Sequence, residues 1–485
     1  MNYKMMGRFN SLILTVEAVF MVPALLISMF CRDNKGVIGF SVAILVAAGI
    51  AGLLALLARG ASPDFFAKEG LVCVGLSWIV MSLIGSLPFY VSGYIPSFID
   101  ALFETVSGFT TTGASILSDV TALSNGMLYW RSFSHWLGGM GVLVFLLAII
   151  PVSGKSEGYT MHILRAESPG PDVGKLVPKM RQTAAILYSV YVALTVLNFI
   201  FLVAGKMPVF DAVCTAFGTA GTGGFGIKPD GLASYTPYLQ VVTTVFMLLF
   251  GINFSCYYLI LLRQVKSVLK DEEIRLYIGV VVTAILLITA NIYKMYSSVG
   301  EAVRHAAFQV SSIITTTGFA TTDFNSWPEF SKSILLVLMF IGACAGSTGG
   351  GIKCARVLLI FKTIKRNIGQ VLQPKRVKVI RVNGKMMDER LVASTNAYLA
   401  VYIIIMIASF ILVSLDGLSM TANVSAVISC VNNIGPGFAE VGPMFSYGSY
   451  GVLSKCVLIF DMLAGRLEIF PILVLFNRHA WKRQG

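Results

Sequence analysis

Four glycines at matched positions are the residues of this 485-residue chain whose type and spacing could do chemistry: Gly113, Gly224, Gly318 and Gly435. Each ends a short amphipathic segment, and two of the strings that lead to them both read TTTG. Glycine reaches backbone conformations that are closed to other residues, so the carbonyls of such a turn can point at one axis. Four such turns can replace the hydration shell of a monovalent cation. They contain no Asp or Glu, which favours a carbonyl site over the acidic rings of other cation pores.

Each glycine turn follows a short segment that lies between two long apolar stretches. A helix of this length cannot cross a hydrocarbon core of about 30 Å. It can enter and return if the backbone that follows it lines a water-filled path. The C-terminal ends of such re-entrant helices would add partial negative charge near the axis. The predicted short segments are 98–110, 209–221, 301–315 and 420–432.

The pattern of long helix, re-entrant segment and second long helix occurs four times, after two initial helices. Phe103 and Phe308 each lie ten residues before their glycine, which indicates a repeat. We therefore predict an all-α polytopic membrane protein with ten spanning helices and four pseudo-repeats of helix, re-entrant pore loop and helix around one central pore. The initial helices are predicted at 10–31 and 37–58, and the second helices of the repeats at 128–150, 237–262, 331–365 and 449–477. The predicted units are an N-terminal two-helix unit at 1–60 and pore repeats at 61–155, 156–265, 266–375 and 376–485.

Composition supports a membrane protein and explains the positive charge. Hydrophobic residues make up 56% of the chain and charged residues 13%, with a mean hydropathy of +0.78, whereas a soluble protein has about a quarter of its residues charged. Of the 37 Lys and Arg residues, 27 fall in segments that we assign to the cytoplasm, as the positive-inside rule requires. Both termini are then cytoplasmic, and the net charge of +13 does not indicate nucleic-acid binding. The assigned segments are 1–9, 59–69, 152–182, 263–275, 353–390 and 478–485.

The second helix of the third repeat contains a run of small residues that predicts a gate. Each glycine costs about 1 kcal/mol relative to alanine in a helix, so this run breaks the helix at membrane depth. Irregular backbone there must contact water or a protein cavity. The gate residues are Gly346, Ser347, Thr348, Gly349, Gly350 and Gly351.

Arg466 lies in the last apolar run, and its position predicts the same depth in the membrane as the run of small residues at 346–351. It lies 31 residues after Gly435, and Gly349 lies 31 residues after Gly318. A charge inside a membrane segment costs at least about 2.5 kcal/mol, so it should face the pore or a partner. In the pore it would repel permeating cations until it moved. The alternative is a structural ion pair with Asp461 or Glu468.

The strings TTTGAS, TTTGFATTDF and GSTGGGIK resemble those of the Trk/Ktr/HKT superfamily of potassium transporters, most closely the bacterial TrkH-type membrane subunit, over essentially the whole chain. The resemblance implies potassium uptake across the bacterial cytoplasmic (inner) membrane, with K⁺ as the permeating ion at a selectivity filter. It implies a homodimer on a cytosolic nucleotide-binding ring of the RCK (TrkA-like) type. Sodium-preferring plant relatives can carry serine where this chain has Gly113. The fourth turn departs from the TTG pattern, so the implied filter should be less selective than a ring of four identical turns. The implied filter residues are Thr111, Thr112, Gly113, Thr222, Gly223, Gly224, Thr316, Thr317, Gly318, Asn433, Ile434 and Gly435.

The basic segment 353–390 carries eleven Lys or Arg residues and leads out of the broken helix. It is the preferred docking surface for a regulatory ring, and 152–182 is the second candidate. A basic cytoplasmic loop also serves as an orientation signal or as a contact for anionic membrane lipids.

Other motifs do not indicate an enzyme or a cofactor. The string at 221–226 satisfies GxGxxG, but no βαβ unit surrounds it. The eight cysteines and four histidines are scattered, so no metal centre is expected beyond K⁺ at the filter. No nucleophile and general base lie at a spacing in the sequence that indicates a catalytic pair.

Two alternatives to a passive pore remain open. An ion-coupled (H⁺ or Na⁺) potassium symporter would use alternating access, and such folds usually show two-fold repeats and broken helices. A non-transporting membrane scaffold would leave the four glycine turns unexplained. Close packing of helices is the commonest role of a membrane glycine, but it does not account for four glycines that each follow the same kind of segment.

Overall fold

The computed structural model describes residues 1–61, 67–141, 180–373 and 378–481. In this part of the chain the protein is almost entirely helical, and the two strands form one antiparallel hairpin in which Arg381 pairs with Met386. The strands are β1 (Arg381–Val382) and β2 (Lys385–Met386).

Two long helices open the chain, α1 (Tyr3–Phe30) and α2 (Asn34–Leu57). They pack through a row of small residues on α2, in which Ala43, Ala47 and Ala51 are buried. Small side chains let two membrane helices approach closely. This close packing stabilises the pair, since lipid gives no hydrophobic driving force for helix association. The sequence predicts both helices, with ends that differ by a few residues.

Each of the four repeats then begins with a long apolar helix. In the first repeat a turn at Ser86 divides it into α3 (Ala67–Gly85) and α4 (Leu87–Val91). The others are α7 (Met180–Ala204), α12 (Glu272–Ile292) and α16 (Glu389–Val413).

The short re-entrant helices follow, each within two residues of its predicted bounds. They are α5 (Phe98–Phe109), α8 (Val209–Gly221), α13 (Val299–Ile314) and α17 (Met420–Val431). Three of them begin at a serine whose hydroxyl accepts a hydrogen bond from the third residue on, as Ser298 does from Glu301 N at 3.1 Å. Their C-terminal halves are buried, so the negative ends of these helices lie inside the protein.

The second helices of the repeats are interrupted in three cases, and the sequence predicts continuous spans for two of these, in the second and fourth repeats. They are α6 (Asn125–Gly139), α9 (Pro237–Phe250) with α10 (Phe254–Leu261), α14 (Glu329–Ile341) with α15 (Cys354–Leu372), and α18 (Val452–Arg466) with α19 (Phe470–Leu475). α6 ends before Met140 and Gly141, which are not helical, and residues 142–150 of the predicted helix 128–150 lie outside the described residues. Short helices α11 (Val265–Lys270) and α20 (Arg478–Trp481) and 3-10 turns at Val120–Ala122, Tyr293–Met295, Phe324–Ser326, Ser414–Asp416, Ala439–Val441 and Tyr447–Ser449 complete the described elements.

Fewer spans than the ten predicted are found among the described residues, because several second helices are interrupted and part of the predicted span 128–150 lies outside the described residues. Among the described residues, six helices are long and apolar enough to cross a membrane, and a seventh span results if α9 and α10 count as one. These two helices meet at 90°, and the Asn253 side chain begins α10 by accepting from Ser255 N at 2.9 Å. In the fourth repeat, Glu468 and Ile469 break the helix with φ values of 54° and 71°. The sequence predicts only the break in the third repeat, where glycines are dense.

Two glycines bring second helices against the ends of re-entrant helices. A Cβ atom added to Gly138 would lie within 3.0 Å of the Phe109 carbonyl oxygen, and one added to Gly465 would meet the Val431 carbonyl oxygen in the same way. Phe109 and Val431 both stand four residues before their filter glycine. The first and fourth repeats therefore use the same close backbone approach to support the turn.

Gly138→Ala should destabilise the fold, since the new methyl group would push against a backbone carbonyl. Overpacking of this kind typically costs about 1–3 kcal/mol. Gly279→Ala is the matched control, because a Cβ on Gly279 in α12 would meet nothing within 4 Å. Thermal unfolding in detergent should show a lower midpoint for Gly138→Ala and an unchanged or higher one for Gly279→Ala; equal midpoints would contradict the proposed contact.

Candidate functional site

The four glycine turns share one backbone conformation. The residue two positions before each glycine adopts left-handed φ values of 53–56°, although none of these residues is glycine. The next residue donates its N–H to the carbonyl five residues earlier, for example Thr112 to Ser107 at 2.9 Å and Ile434 to Ser429 at 2.9 Å. This hydrogen bond closes the C-terminus of the re-entrant helix as in a Schellman motif, where glycine usually takes the left-handed position. The left-handed residues are Thr111, Thr222, Thr316 and Asn433.

The glycines of the four turns also have positive φ, of 78°, 72°, 84° and 106° along the chain. Each packs against the next turn so closely that an added Cβ would lie within 3.0 Å of a carbonyl oxygen there. Gly113 meets Gly223 O, Gly224 meets Thr317 O, Gly318 meets Ile434 O, and Gly435 meets Thr112 O. The series returns to its starting turn, so the four turns form a closed ring in chain order. The structure thus brings all twelve predicted filter residues together.

Threonine hydroxyls in the two TTTG turns bond within their own repeats. Thr110 Oγ1 lies 2.6 Å from Val106 O and 2.8 Å from Thr112 Oγ1, and Thr315 Oγ1 lies 2.7 Å from Thr317 Oγ1. All of these side chains are buried. The carbonyl oxygen of the residue before each glycine lies against the glycine of a neighbouring turn, so every turn presents a backbone carbonyl to a neighbour.

The fourth turn replaces threonines with asparagines that form different contacts. The Asn433 amide donates to Thr112 Oγ1 at 3.0 Å and to Met462 O at 2.9 Å. The Asn432 side chain pairs with the Tyr402 hydroxyl. Asn433, which stands where the other turns have threonine, thus bonds the fourth turn both to the first turn and to α18.

On the outer side of the ring, a buried ion pair joins the first two turns. Arg131 Nε lies 2.5 Å from Glu104 Oε1, and the two side chains are 3% and 0% exposed. Glu104 accepts from Ile116 N at 3.0 Å, and Arg131 donates to Gly226 O at 2.9 Å. The pair therefore holds the segments that leave the first and second turns. A cavity of about 230 Å³ opens above the ring and is lined by all four filter glycines.

The predicted gate loop lies against the opposite side of the third and fourth turns. Gly350 N donates to Thr316 Oγ1 at 2.7 Å, and a Cβ on Gly350 would lie 2.5 Å from Asn432 O. A Cβ on Gly349 would lie 3.0 Å from Thr315 O. The other end of the loop is fixed to the second repeat, since Gly346 O accepts from Phe254 N at 3.0 Å.

Arg466 contacts two other repeats from its position at the end of α18. Its Nη1 donates to Thr348 O at 2.9 Å in the gate loop, and its Nη2 donates to Gly138 O and Gly139 O at 2.5 and 2.6 Å. The third and first repeats lie on opposite sides of the ring. A guanidinium that reaches both therefore lies between them, beneath the turns.

The carboxylates considered as partners for Arg466 meet other groups. Glu468 forms ion pairs with Arg356 and, at 3.0 Å, with Lys353. Asp461 accepts from Ser409 Oγ at 2.7 Å. Glu468 thus fastens the break in the fourth repeat to the first residues of α15, directly after the gate loop.

The described ranges contain no group of three or more His, Cys, Asp or Glu side chains placed to hold a metal ion. The eight cysteines, all of which are described, are free.

Sequence reasoning missed Glu104, Arg131 and His135, which support the turns from neighbouring helices. A charged residue in a short apolar helix is a signal that could have identified Glu104. Its pairing with Arg131 requires the tertiary structure.

Comparisons with known proteins agree over nearly the full length. Residues 40–482 match the family model TrkH, described as a cation transport protein. The Trk system potassium uptake proteins TrkH of Escherichia coli and Salmonella typhimurium are each 33% identical over 99% of this chain and 100% of their own length. The crystal structure of the potassium transporter TrkH from Vibrio parahaemolyticus superposes with a TM-score of 0.88 at 31% identity, covering 99% of this chain and 100% of that one.

Glu104→Gln should destabilise the protein strongly, because it leaves the buried Arg131 charge without its carboxylate. Breaking one partner of a buried pair costs about 3–5 kcal/mol. Glu301→Gln is the matched control: its pair with Arg304 also lies on a re-entrant helix but is partly exposed and 3.8 Å long, so its loss should cost less than about 1 kcal/mol. Thermal unfolding in detergent compares them, and equal losses would refute the assignment of Glu104.

Proposed function

Because the chain belongs to the TrkH family of cation transport proteins, we propose that it takes up potassium ions through a selective pore formed by its four glycine turns. As a member of this family it is a multi-pass membrane transport protein and not an enzyme. Relatives that are 33% identical are potassium uptake proteins, which supports K⁺ as the permeating ion.

The closed ring of turns is the observation that carries this proposal. Neighbouring backbones approach so closely that a carbonyl oxygen of one turn lies against the glycine of the adjacent turn at all four junctions. Rings of carbonyls can replace the hydration shell of K⁺. The buried C-terminal ends of four re-entrant helices add negative potential at the same place. The filter is therefore assigned to Thr111–Gly113, Thr222–Gly224, Thr316–Gly318 and Asn433–Gly435.

The gate is assigned to residues 346–351 and Arg466. A positive charge between opposite repeats, beneath the filter, opposes the passage of K⁺ by direct repulsion. The loop is fastened to the third turn through Gly350 N and to Arg466 through Thr348 O. Opening then requires the loop and the guanidinium to move together. A cytosolic subunit is the source of this control in the proposal.

The helix that follows the gate supports docking of a cytosolic partner. Phe361, Ile364 and Ile368 are 49–64% exposed and lie on one face of α15, within the basic segment 353–390. An exposed apolar face among basic residues is typical of a contact surface. A TrkA-like nucleotide-binding ring is the proposed partner, and anionic lipid binds the remaining basic surface. The alternative docking segment 152–182 lies almost entirely outside the described residues.

The proposed assembly is a homodimer in the bacterial inner membrane with both termini in the cytoplasm. The positive-inside distribution supports this orientation. Lys68 near the start of α3 and His479 near the C-terminus are in contact, at 2.6 Å between Nζ and the carbonyl oxygen, so the terminus lies beside a predicted cytoplasmic segment.

Tracer uptake into proteoliposomes that contain this chain alone tests the proposal. A K⁺ gradient alone should drive uptake, and Rb⁺ should compete better than Na⁺. Gly113→Ser should lower the preference for K⁺ over Na⁺, because its side chain would displace Gly223 O from the ring. Gly279→Ser, on the lipid side of α12, is the control with an unchanged preference.

Three outcomes of the uptake experiment would count against the proposal in different ways. Uptake that required an opposing proton or sodium gradient would favour the coupled symporter. An unchanged K⁺ preference in Gly113→Ser would remove the first turn from the filter. If the chain alone shows no uptake, co-reconstitution with the regulatory ring decides, and continued absence of flux would refute a transport function.

Arg466→Ala should raise basal K⁺ flux, since it removes the fixed charge beneath the filter and releases Thr348 O in the gate loop. Arg466→Lys, which keeps the charge but loses the planar fork of donors, should raise flux less. Tracer uptake is compared at equal protein content. Unchanged or lower flux in Arg466→Ala would contradict the barrier role.

A further inference from the structure

His135 is a fully buried histidine on α6 of the first repeat, and its ring lies behind the second filter turn. Its ring centroid is 4.2 Å from that of Phe225, which follows Gly224. A Cβ added to Gly223 would lie within 3.0 Å of the imidazole, and one on Gly221 would meet the His135 backbone. The contact therefore covers the base of the turn and its middle residue.

Both ring nitrogens bond to backbone groups, and these groups fix the tautomer. Nδ1 lies 2.8 Å from Gly108 O, and Phe225 N lies 3.3 Å from Nε2. A carbonyl oxygen can only accept and a backbone N–H can only donate. The proton must therefore be on Nδ1, and the lone pair of Nε2 accepts from Phe225. A neutral imidazole thus joins the first re-entrant helix to the segment that leaves the second turn.

The second turn differs from the others at the residue that His135 covers. The position before the filter glycine is Thr112, Thr317 or Ile434 in the other turns, and Gly223 in this one. Without a side chain there, the second turn lacks a hydroxyl such as Thr112 Oγ1, which bonds to Thr110. The imidazole fills this space from outside the turn.

We propose that His135 is a specificity-determining positioning residue, which replaces the side chain missing at Gly223 and holds the Gly223 carbonyl in the filter ring. The proposal rests on the proposed function of the ring as a K⁺ filter. Gly223 O faces Gly113 of the first turn, so a shift of this carbonyl changes the spacing of one quarter of the ring. His135 acts through the turn and does not itself contact the ion.

A rescue experiment tests whether the His135 imidazole takes the place of the side chain that is missing at Gly223. His135→Ala should empty the space behind Gly223, and Gly223→Thr should collide with the imidazole; Gly223 does not have a positive φ, so threonine is compatible with its backbone. Each single variant should reduce the K⁺/Na⁺ uptake ratio by roughly 2- to 10-fold, the factor that corresponds to the net contribution of one hydrogen bond, because the first removes the imidazole and the second displaces it from its bonds to Gly108 O and Phe225 N. The double variant should recover much of the ratio. Additive losses in the double variant, or a single variant with the wild-type ratio, would overturn the proposal.

A conservative pair separates the two hydrogen bonds. His135→Gln places a carbonyl oxygen near the Nε2 position and can still accept from Phe225, whereas His135→Asn retains only a donor near Gly108 O. The glutamine variant should keep the K⁺/Na⁺ ratio closer to wild type. His305→Asn, at a buried histidine bonded to Thr321 outside the turn, is the control with an unchanged ratio. A ratio that falls equally in the asparagine and glutamine variants would reject the role of the Phe225 bond.

Failure of this proposal is distinguishable from failure of the proposed function. If wild-type protein shows no K⁺ preference, the filter assignment itself is wrong. The packing of His135 against Gly223 can then still be tested by the unfolding temperatures of the wild type, the two single variants and the double variant. An unfolding temperature that recovers in the double variant supports this packing, and additive decreases in the unfolding temperature reject it.

Discussion

The close approach of one turn's glycine to the next turn's carbonyl is the constraint on which the rest of this structure depends. Any side chain at Gly113, Gly224, Gly318 or Gly435 would occupy the position of an oxygen atom in the neighbouring turn. The re-entrant helices must therefore end at one depth and in one conformation. Three threonines and an asparagine accept a left-handed backbone for this purpose, at a cost of roughly 1–2 kcal/mol each. The Schellman-type hydrogen bonds offset part of that cost.

The four junctions between turns are held by four different polar contacts, although the ring repeats. Arg131 reaches Gly226 O between the first and second turns, and Leu232 N donates to Ala320 O between the second and third. Asn325 pairs with the Ala439 backbone, and Tyr447 N donates to Ser115 O to close the ring. Two of these contacts use a side chain and two join backbone groups, so the backbone conformation of the turns is repeated while the contacts that support it are not. This division explains why the filter strings resemble one another and the helices around them do not.

The re-entrant helices and the glycine ring were predictable because their determinants are local. A serine cap, an amphipathic segment and a terminal glycine lie within about four turns of helix, and the predicted bounds differ from the structure by no more than two residues. The break in the third repeat was likewise visible in its glycines. The breaks at Asn253 and at Glu468–Ile469 were not, since capping and left-handed φ there involve residues that helices ordinarily tolerate. The contact of His135 with Phe225 joins residues 90 positions apart, which no local pattern reveals.

A ring encoded by one chain can be altered one quadrant at a time. In a pore built from four identical subunits, every substitution enters four times and an intermediate filter is inaccessible. Here the second quadrant has a glycine where others have threonine or isoleucine, and the fourth has asparagine, yet the ring remains closed. In the proposed filter, a substitution in one quadrant can therefore change the ion preference without altering the other three quadrants.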